Sequence, residues 1–206
     1  MKNRSGKWQG SWLLLLVGGL LLVAGCARTA AVSYYQLSSL EVSSTGKNAD
    51  ATGKLVLGIG PVQLPEYLAR PQIVTRLTTQ RLQLADNHRW AEPLSENIPR
   101  VLGENLSLLL VTDRILLHPW PAGRATDYRL LVEVLHFENE SDGAARLVVR
   151  WAVKGRDGGI VLEERKSSYL IPAASQGREG QVAALSEALA SFCREIAQEM
   201  KPVLGK

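Results

Sequence analysis

Between Asp127 and Leu170 hydrophobic and polar residues alternate with a period of two in three runs, Asp127–Glu138, Ala144–Lys154 and Ile160–Leu170. The runs are separated by Glu140-Ser141-Asp142-Gly143 and Arg156-Asp157-Gly158-Gly159. Alternation sends successive side chains to opposite faces of a strand, and Asp-Gly pairs suit tight hairpin turns, so the pattern predicts a three-strand antiparallel meander. In its middle strand Leu147, Val149, Trp151 and Val153 share one face, and Arg146, Arg150 and Lys154 the other. One face is therefore expected to be buried and one wet.

Two stretches change the period to that of a helix. Ile98, Val101, Leu102, Leu106, Leu109 and Leu110 recur at three and four residues, predicting a helix that starts near Ser95 or Asn97, with Pro99 in its first turn. The last runs from about Glu179 to Met200 with Val182, Leu185, Leu189, Phe192, Ile196 and Met200 on one side. Cys193 adjoins that stripe and reads as a buried structural thiol. Shorter strands are expected over Ser33–Leu37, Lys54–Gly60, Ile73–Leu77, Arg81–Leu84 and Ile115–His118. A turn is expected at Asp86-Asn87, with His88–Leu94 returning from it, and a surface loop over the Ser-, Gly- and Asn-rich residues 38–53. Gly58-x-Gly60 is followed by Pro61 rather than a helix, which excludes a phosphate loop and suggests a bulge or a close backbone approach. The expected fold is α+β: a single domain over residues 33–206, with a mainly antiparallel sheet and two principal helices packed on one side.

The N-terminus follows another logic. Lys2, Arg4 and Lys7 precede an apolar run ending in Leu22-Val23-Ala24-Gly25-Cys26, the order of a bacterial secretory leader. An aliphatic residue, two small residues and a cysteine resemble the lipobox of bacterial lipoproteins, in which the thiol is acylated and cleavage leaves the cysteine first. The alternative, an uncleaved anchor, requires ~20 apolar residues, more than Trp12–Ala24 supply, and Gly18-Gly19 weakens that run as a helix. Residues 1–25 are thus expected to be a signal peptide, Cys26 the lipidated N-terminus, and residues 26–32 a tether. Two or three acyl chains hold a protein on a membrane far more firmly than one. Ala27, where an Asp would retain an enteric lipoprotein in the inner membrane, implies by the same resemblance the outer membrane, with the domain on its periplasmic face.

Charge then loses much of its meaning. The whole chain has 24 basic and 20 acidic residues, but the leader holds three of the basic ones and none of the acidic, leaving 21 against 20. With both signs interspersed and no basic stripe, a nucleic-acid partner is excluded. His88, His118 and His136 fall in separate elements, no serine sits in a nucleophile elbow, and adjacent Glu163 and Glu164 point to opposite faces of a strand. Glu138, Glu140 and Asp142 flank a turn and read as solvated. No catalytic residue, metal site or cofactor is expected.

The most unusual stretch is Pro61–Arg76, PVQLPEYLARPQIVTR, with three prolines in eleven residues. Proline fixes φ and keeps the preceding residue out of helix. One reading is a stiff, exposed turn presenting Leu64, Tyr67, Leu68 and Arg70 to a partner, with Arg76, Trp90 and Glu92 beside them. The other is a rigid connection in which Tyr67 and Leu68 cap the edge of a core. This motif, followed after a short hairpin by Arg89-Trp90-Ala91-Glu92-Pro93-Leu94 and a helix, resembles the PqiC/YmbA family of ABC-type transport auxiliary lipoproteins. The likeness runs from the lipobox to the C-terminal helix. It implies a non-enzymatic auxiliary subunit of an intermembrane lipid transport system, acting with an MCE-domain tunnel protein and its membrane-embedded component. Its role would be to dock the tunnel to the outer membrane and support membrane integrity. The alternative is a periplasmic carrier enclosing lipid in an apolar cavity of its own.

Overall fold

The alternating runs of the C-terminal half form three long strands, and the shorter runs add five more to the same sheet. The computed structural model describes residues 31–41, 55–121 and 123–204; the expected leader and Cys26 lie outside the described residues. In order the elements are β1 (Ser33–Tyr35), β2 (Leu57–Gln63), β3 (Gln72–Arg76), β4 (Leu82–Trp90), α1 (Leu94–Leu109), β5 (Ile115–Leu117), β6 (Tyr128–Glu140), β7 (Ala145–Gly155), β8 (Ile160–Ile171) and α2 (Gly177–Leu204). The described residues from Val32 onward make up one compact unit.

Strand β6 is the axis. One edge pairs antiparallel with β7 from Tyr128↔Gly155 to Asn139↔Ala145, and β8 continues the meander beyond it. The other edge is shared. β2 lies parallel to its first half, from Leu57↔Tyr128 to Gln63↔Glu133, and β3 lies parallel to its end at Thr75↔Asn139 and Arg76↔Glu140. β4 pairs antiparallel with β3, β1 runs parallel to β4, and β5 runs parallel to β2. The sheet is mixed, with its longest registers antiparallel, in an α+β fold with two helices.

The expected faces are those found. Leu147, Val149, Trp151 and Val153 are at most 1% exposed, and Trp151 meets Phe192 of α2 edge to face at 5.8 Å between ring centroids. Ile98, Val101, Leu102 and Leu106 of α1 are fully buried. Burying each such side chain contributes about 1.5–3 kcal/mol. Residues 37–40 lie across both helices: Leu37 is in the core, the Ser38 amide donates to Ser186 Oγ at 3.1 Å, and the Leu40 amide donates to Asn105 Oδ1 at 2.7 Å. Cys193 is fully buried, and that burial pushes its thiol up to about 12.

Both readings of the glycine pair hold. A Cβ on Gly58 would come within 2.8 Å of Thr126 Cγ2, while Gly60 has φ of +105° at the point where the β2–β6 register shifts.

Three local expectations fail. Asp86-Asn87 is no turn: β4 passes through it unbroken, and the hairpin closes instead at residues 78–80, with the Leu77 amide donating to Arg81 O. The register jump between Gln72↔Arg89 and Val74↔Leu84 absorbs the polar pair as a bulge. Helix α1 starts one residue earlier than Ser95, after Pro93, whose carbonyl accepts from the Glu96 and Asn97 amides. Pro99 therefore lies beyond the first turn, and Asn97 is fully buried inside the helix. Glu138, expected in solvent, is 1% exposed.

Candidate functional site

The Pro-rich segment fills the break in the edge of β6. Eleven residues lie between Gln63 and Thr75, where the facing stretch from Glu133 to Asn139 holds five. The surplus leaves the sheet as an excursion. Pro65, with φ −65° and ψ 147°, opens a 3-10 turn over Glu66–Leu68, and its carbonyl accepts from the Leu68 amide at 2.9 Å. The turn drives Leu68 into the core, where it is 2% exposed. Pro71 ends the excursion, its carbonyl accepting from the Trp90 amide at 2.7 Å.

Tyr67 swings toward β6 and donates its hydroxyl to Glu138 Oε2 at 2.6 Å. Glu138 also accepts from Arg76 Nε at 2.6 Å, meets His136 Nδ1 at 3.0 Å, and takes the Phe137 amide at 2.8 Å. A carboxylate offers about four lone-pair positions. All are in use. Burial alone would raise this carboxyl's pKa, but the hydrogen bonds from Tyr67, Arg76 and His136 outweigh burial and hold it below the usual range. Burial, then the bond to Glu138, pushes the Tyr67 phenol above its ordinary value. The cluster is a closed lock that fastens the excursion to the sheet, with no lone pair left over for general-base work.

The bulge in β6 explains why a carboxylate sits there. Leu130, Val132 and Val134 face the helices, the register with β7 shifts between Val134 and His136, and the inward phase resumes at Phe137 and Asn139. His136 and Glu138 thereby fall on the helix-free face under Tyr67. The buried apolar positions run 130, 132, 134 and then 137, but Leu131 and Leu135 are apolar as well, so the phase slip is masked in the sequence.

The seven residues expected at a partner surface thus have different environments. Leu68 and Trp90, the latter 5% exposed, belong to the core and offer nothing to a partner, because the 3-10 turn and the Pro71 bond turn them inward. Tyr67 and Arg76 are spent on Glu138. Glu92 is held by Arg100 at 2.7 Å and by Gln36 at 3.0 Å, and those two bonds keep its pKa low. Leu64 is half-buried, and Arg70 is exposed together with Gln63, Glu66 and Ala69. What faces outward is the polar rim of the excursion.

The remaining chemistry is dispersed. His88 Nδ1 bonds the Tyr35 hydroxyl at 2.9 Å, His118 stands edge-on to Trp120, and His136 joins the lock. No group of three or more potential metal-ligating side chains occurs among the described residues. On the helix-free face Arg146 pairs with Glu140 at 3.0 Å, and Arg150 with Glu133 at 2.5 Å. A second, partly buried network links Trp151 Nε1 to Ser167 Oγ at 3.0 Å and Ser167 to Glu195 at 2.7 Å, with Tyr169 also donating to Glu195. Sequence reasoning found neither network.

Comparison with known proteins gives this architecture a place. Residues 35–197 match the model of the ABC-type transport auxiliary lipoprotein component. Over 141 residues the chain is 30% identical to the intermembrane transport lipoprotein PqiC of Escherichia coli (strain K12), covering 68% of this chain and 72% of that protein, and it matches the Shigella flexneri protein of the same name equally. Among solved structures, an uncharacterized protein superposes with a TM-score of 0.68 at 24% identity, covering 84% of this chain and all of the other. A Xanthomonas campestris protein does so with 0.64 at 18% identity, covering 85% and 97%. These two share the fold. With the family model spanning the sheet and most of the C-terminal helix, and a named relative alike over two thirds of the chain, this protein belongs to the ABC-type transport auxiliary lipoproteins, the PqiC/YmbA family.

Proposed function

We propose that this transport auxiliary lipoprotein is anchored through acylated Cys26 to the periplasmic face of the outer membrane, after removal of residues 1–25. There the domain over residues 33–206 docks the MCE-domain protein of an intermembrane lipid transport system. That protein forms the tunnel, works with a membrane-embedded component, and is held at the outer membrane by this subunit, which thereby supports membrane integrity.

The observation that carries the reading is the likeness to PqiC, an intermembrane transport lipoprotein, over two thirds of both chains. The excursion supports it physically. A loop already stiffened by three prolines and fastened through Tyr67 to a buried carboxylate loses little conformational freedom on binding. The exposed rim of Gln63, Glu66 and Arg70 is the part free to meet a partner. A catalytic role gains no support from the lock, whose carboxylate is saturated. A lipid carrier gains none from the grooves at the surface: the one bordered by Gln63, Glu133, Arg150 and Glu164 holds about 200 Å³, and two larger ones, of about 430 and 490 Å³, are lined by polar side chains such as Ser141, Asp142 and Gln176 or Asp113, Arg114 and Arg124, where a lipid site is mostly apolar.

Co-purification from membranes tests the proposal. Wild-type protein should bring down the MCE-domain protein and show the mass of a Cys26-acylated mature chain, while Cys26→Ala should leave the outer membrane fraction. An unprocessed chain beginning at Met1, or a mature chain that retains no MCE-domain protein, would refute it.

A further inference from the structure

Tyr34 is the most exposed large hydrophobic side chain among the described residues, at 65%. It is also the aromatic residue of the folded unit nearest in sequence to Cys26. Arg76 reaches Glu138 on the helix-free face of the sheet, so by alternation Gln72 and Val74 share that face. Their register partners share it too: Arg89 opposite Gln72, and Leu84 opposite Val74. Tyr34 stands opposite Arg89. One side of the β1–β4 edge therefore carries Tyr34, Leu84 at 36% exposure and the half-buried Arg89, with Asp86 exposed in the bulge between them and Val32, 37% exposed, preceding β1.

Six residues, Ala27 to Val32, separate Cys26 from β1, and six extended residues span at most ~20 Å. If the acyl chains are in a bilayer, β1 must lie within that distance of its surface. From this, and thus resting on the anchoring proposed above, we infer that the helix-free side of the β1–β4 edge lies against the phospholipid surface, with Tyr34 among the headgroups. A tyrosine with an apolar ring and a polar tip suits that depth. Arg89 faces phosphate oxygens there, whereas Asp86 opposes an anionic surface, so the match is to a mixed zwitterionic and anionic bilayer rather than a strongly acidic one. Contact on this side fixes the domain's orientation and leaves the two helices facing away from the membrane.

The test uses the full acylated chain in vesicles of three parts phosphatidylethanolamine to one part phosphatidylglycerol. Cys193 is fully buried and the Cys26 thiol is blocked by its acyl group, so Tyr34→Cys introduces one reactive thiol for an environment-sensitive fluorophore. Gln198→Cys, at an exposed position of helix α2, on the side that should face away from the bilayer, is the control. Lipids carrying a headgroup nitroxide should quench the label at position 34 by about twofold or more and leave that at position 198 unaffected, since only the former sits at interface depth. Equal quenching at the two positions in a chain that is acylated by mass and floats with the vesicles overturns this inference alone. A chain that is neither acylated nor afloat overturns the anchoring and this inference with it.

Discussion

Replacing Glu138 by Gln keeps the shape of the side chain and removes its charge, so it isolates what the lock contributes. One Gln oxygen can serve only one side of the site. The amide nitrogen must then face either Arg76 Nε and His136 Nδ1 or the Tyr67 hydroxyl and the Phe137 amide, and in each case donors meet a donor. Arg76, whose side chain is only 13% exposed, also loses its counter-charge. Breaking one partner of a buried ion pair costs about 3–5 kcal/mol. In a domain of this size that lowers Tm by roughly 10 °C. Tyr67→Phe, which removes one charge-assisted bond, should cost about 1–3 kcal/mol. Because the Glu138 pKa is depressed in the folded state, its contribution is present above the ordinary carboxylate value of ~4.3 and is lost as pH falls through the lower folded value. The gap between wild type and Glu138→Gln, measured by urea unfolding, should therefore be full at pH 7 and narrow in acid. A variant that melts within about 2 °C of wild type at pH 7, where the pair should count in full, would refute the reasoning, as would a gap that does not narrow.

Other consequences are independent of the lock. Gly60→Ala forces a side chain into φ +105° with its Cβ 2.8 Å from His118 Cβ, and should destabilise by about 1–3 kcal/mol in a chemical unfolding curve. Cys193, buried and with its thiol pushed up to about 12, should resist a water-soluble thiol reagent at pH 8 until denaturant is added; prompt labelling of the native protein would contradict its burial. Ser167→Ala should cost about 1–3 kcal/mol by leaving Trp151 Nε1 and Glu195 short of a partner, without affecting binding to the MCE-domain protein, which a melting curve and a co-purification would report together.

Period alone was enough to recover the meander, its buried face and both helical stripes, because these depend on local alternation and on which face meets the core. Leu147, Val149, Trp151 and Val153 lie where alternation puts them. The failures are where distant chain decides. Asp86-Asn87 has the composition of a turn, yet pairing with β3 carries the strand through it as a bulge. Leu68 and Trp90 are large side chains in a proline-rich context that reads as surface, and only the return of the excursion along β6 shows that they are core. Glu138 stands near a predicted turn, and its burial needs Tyr67 from a segment 71 residues away. Of the two openings left for the Pro-rich segment, the rigid connection describes Leu68 and Tyr67, and the exposed surface describes Arg70 and its neighbours.

The docking claim is tested most directly by the affinity of the acylated chain for the MCE-domain protein of its own organism, compared with Arg70→Glu. Arg70 is exposed on the rim and is not among the partners of Glu138, so its replacement should leave Tm unchanged. If the rim is the docking surface and Arg70 one of its anchors, binding should weaken by about thirtyfold, the equivalent of a 2 kcal/mol hot spot. Wild-type affinity in a normally folded Arg70→Glu chain would contradict the account.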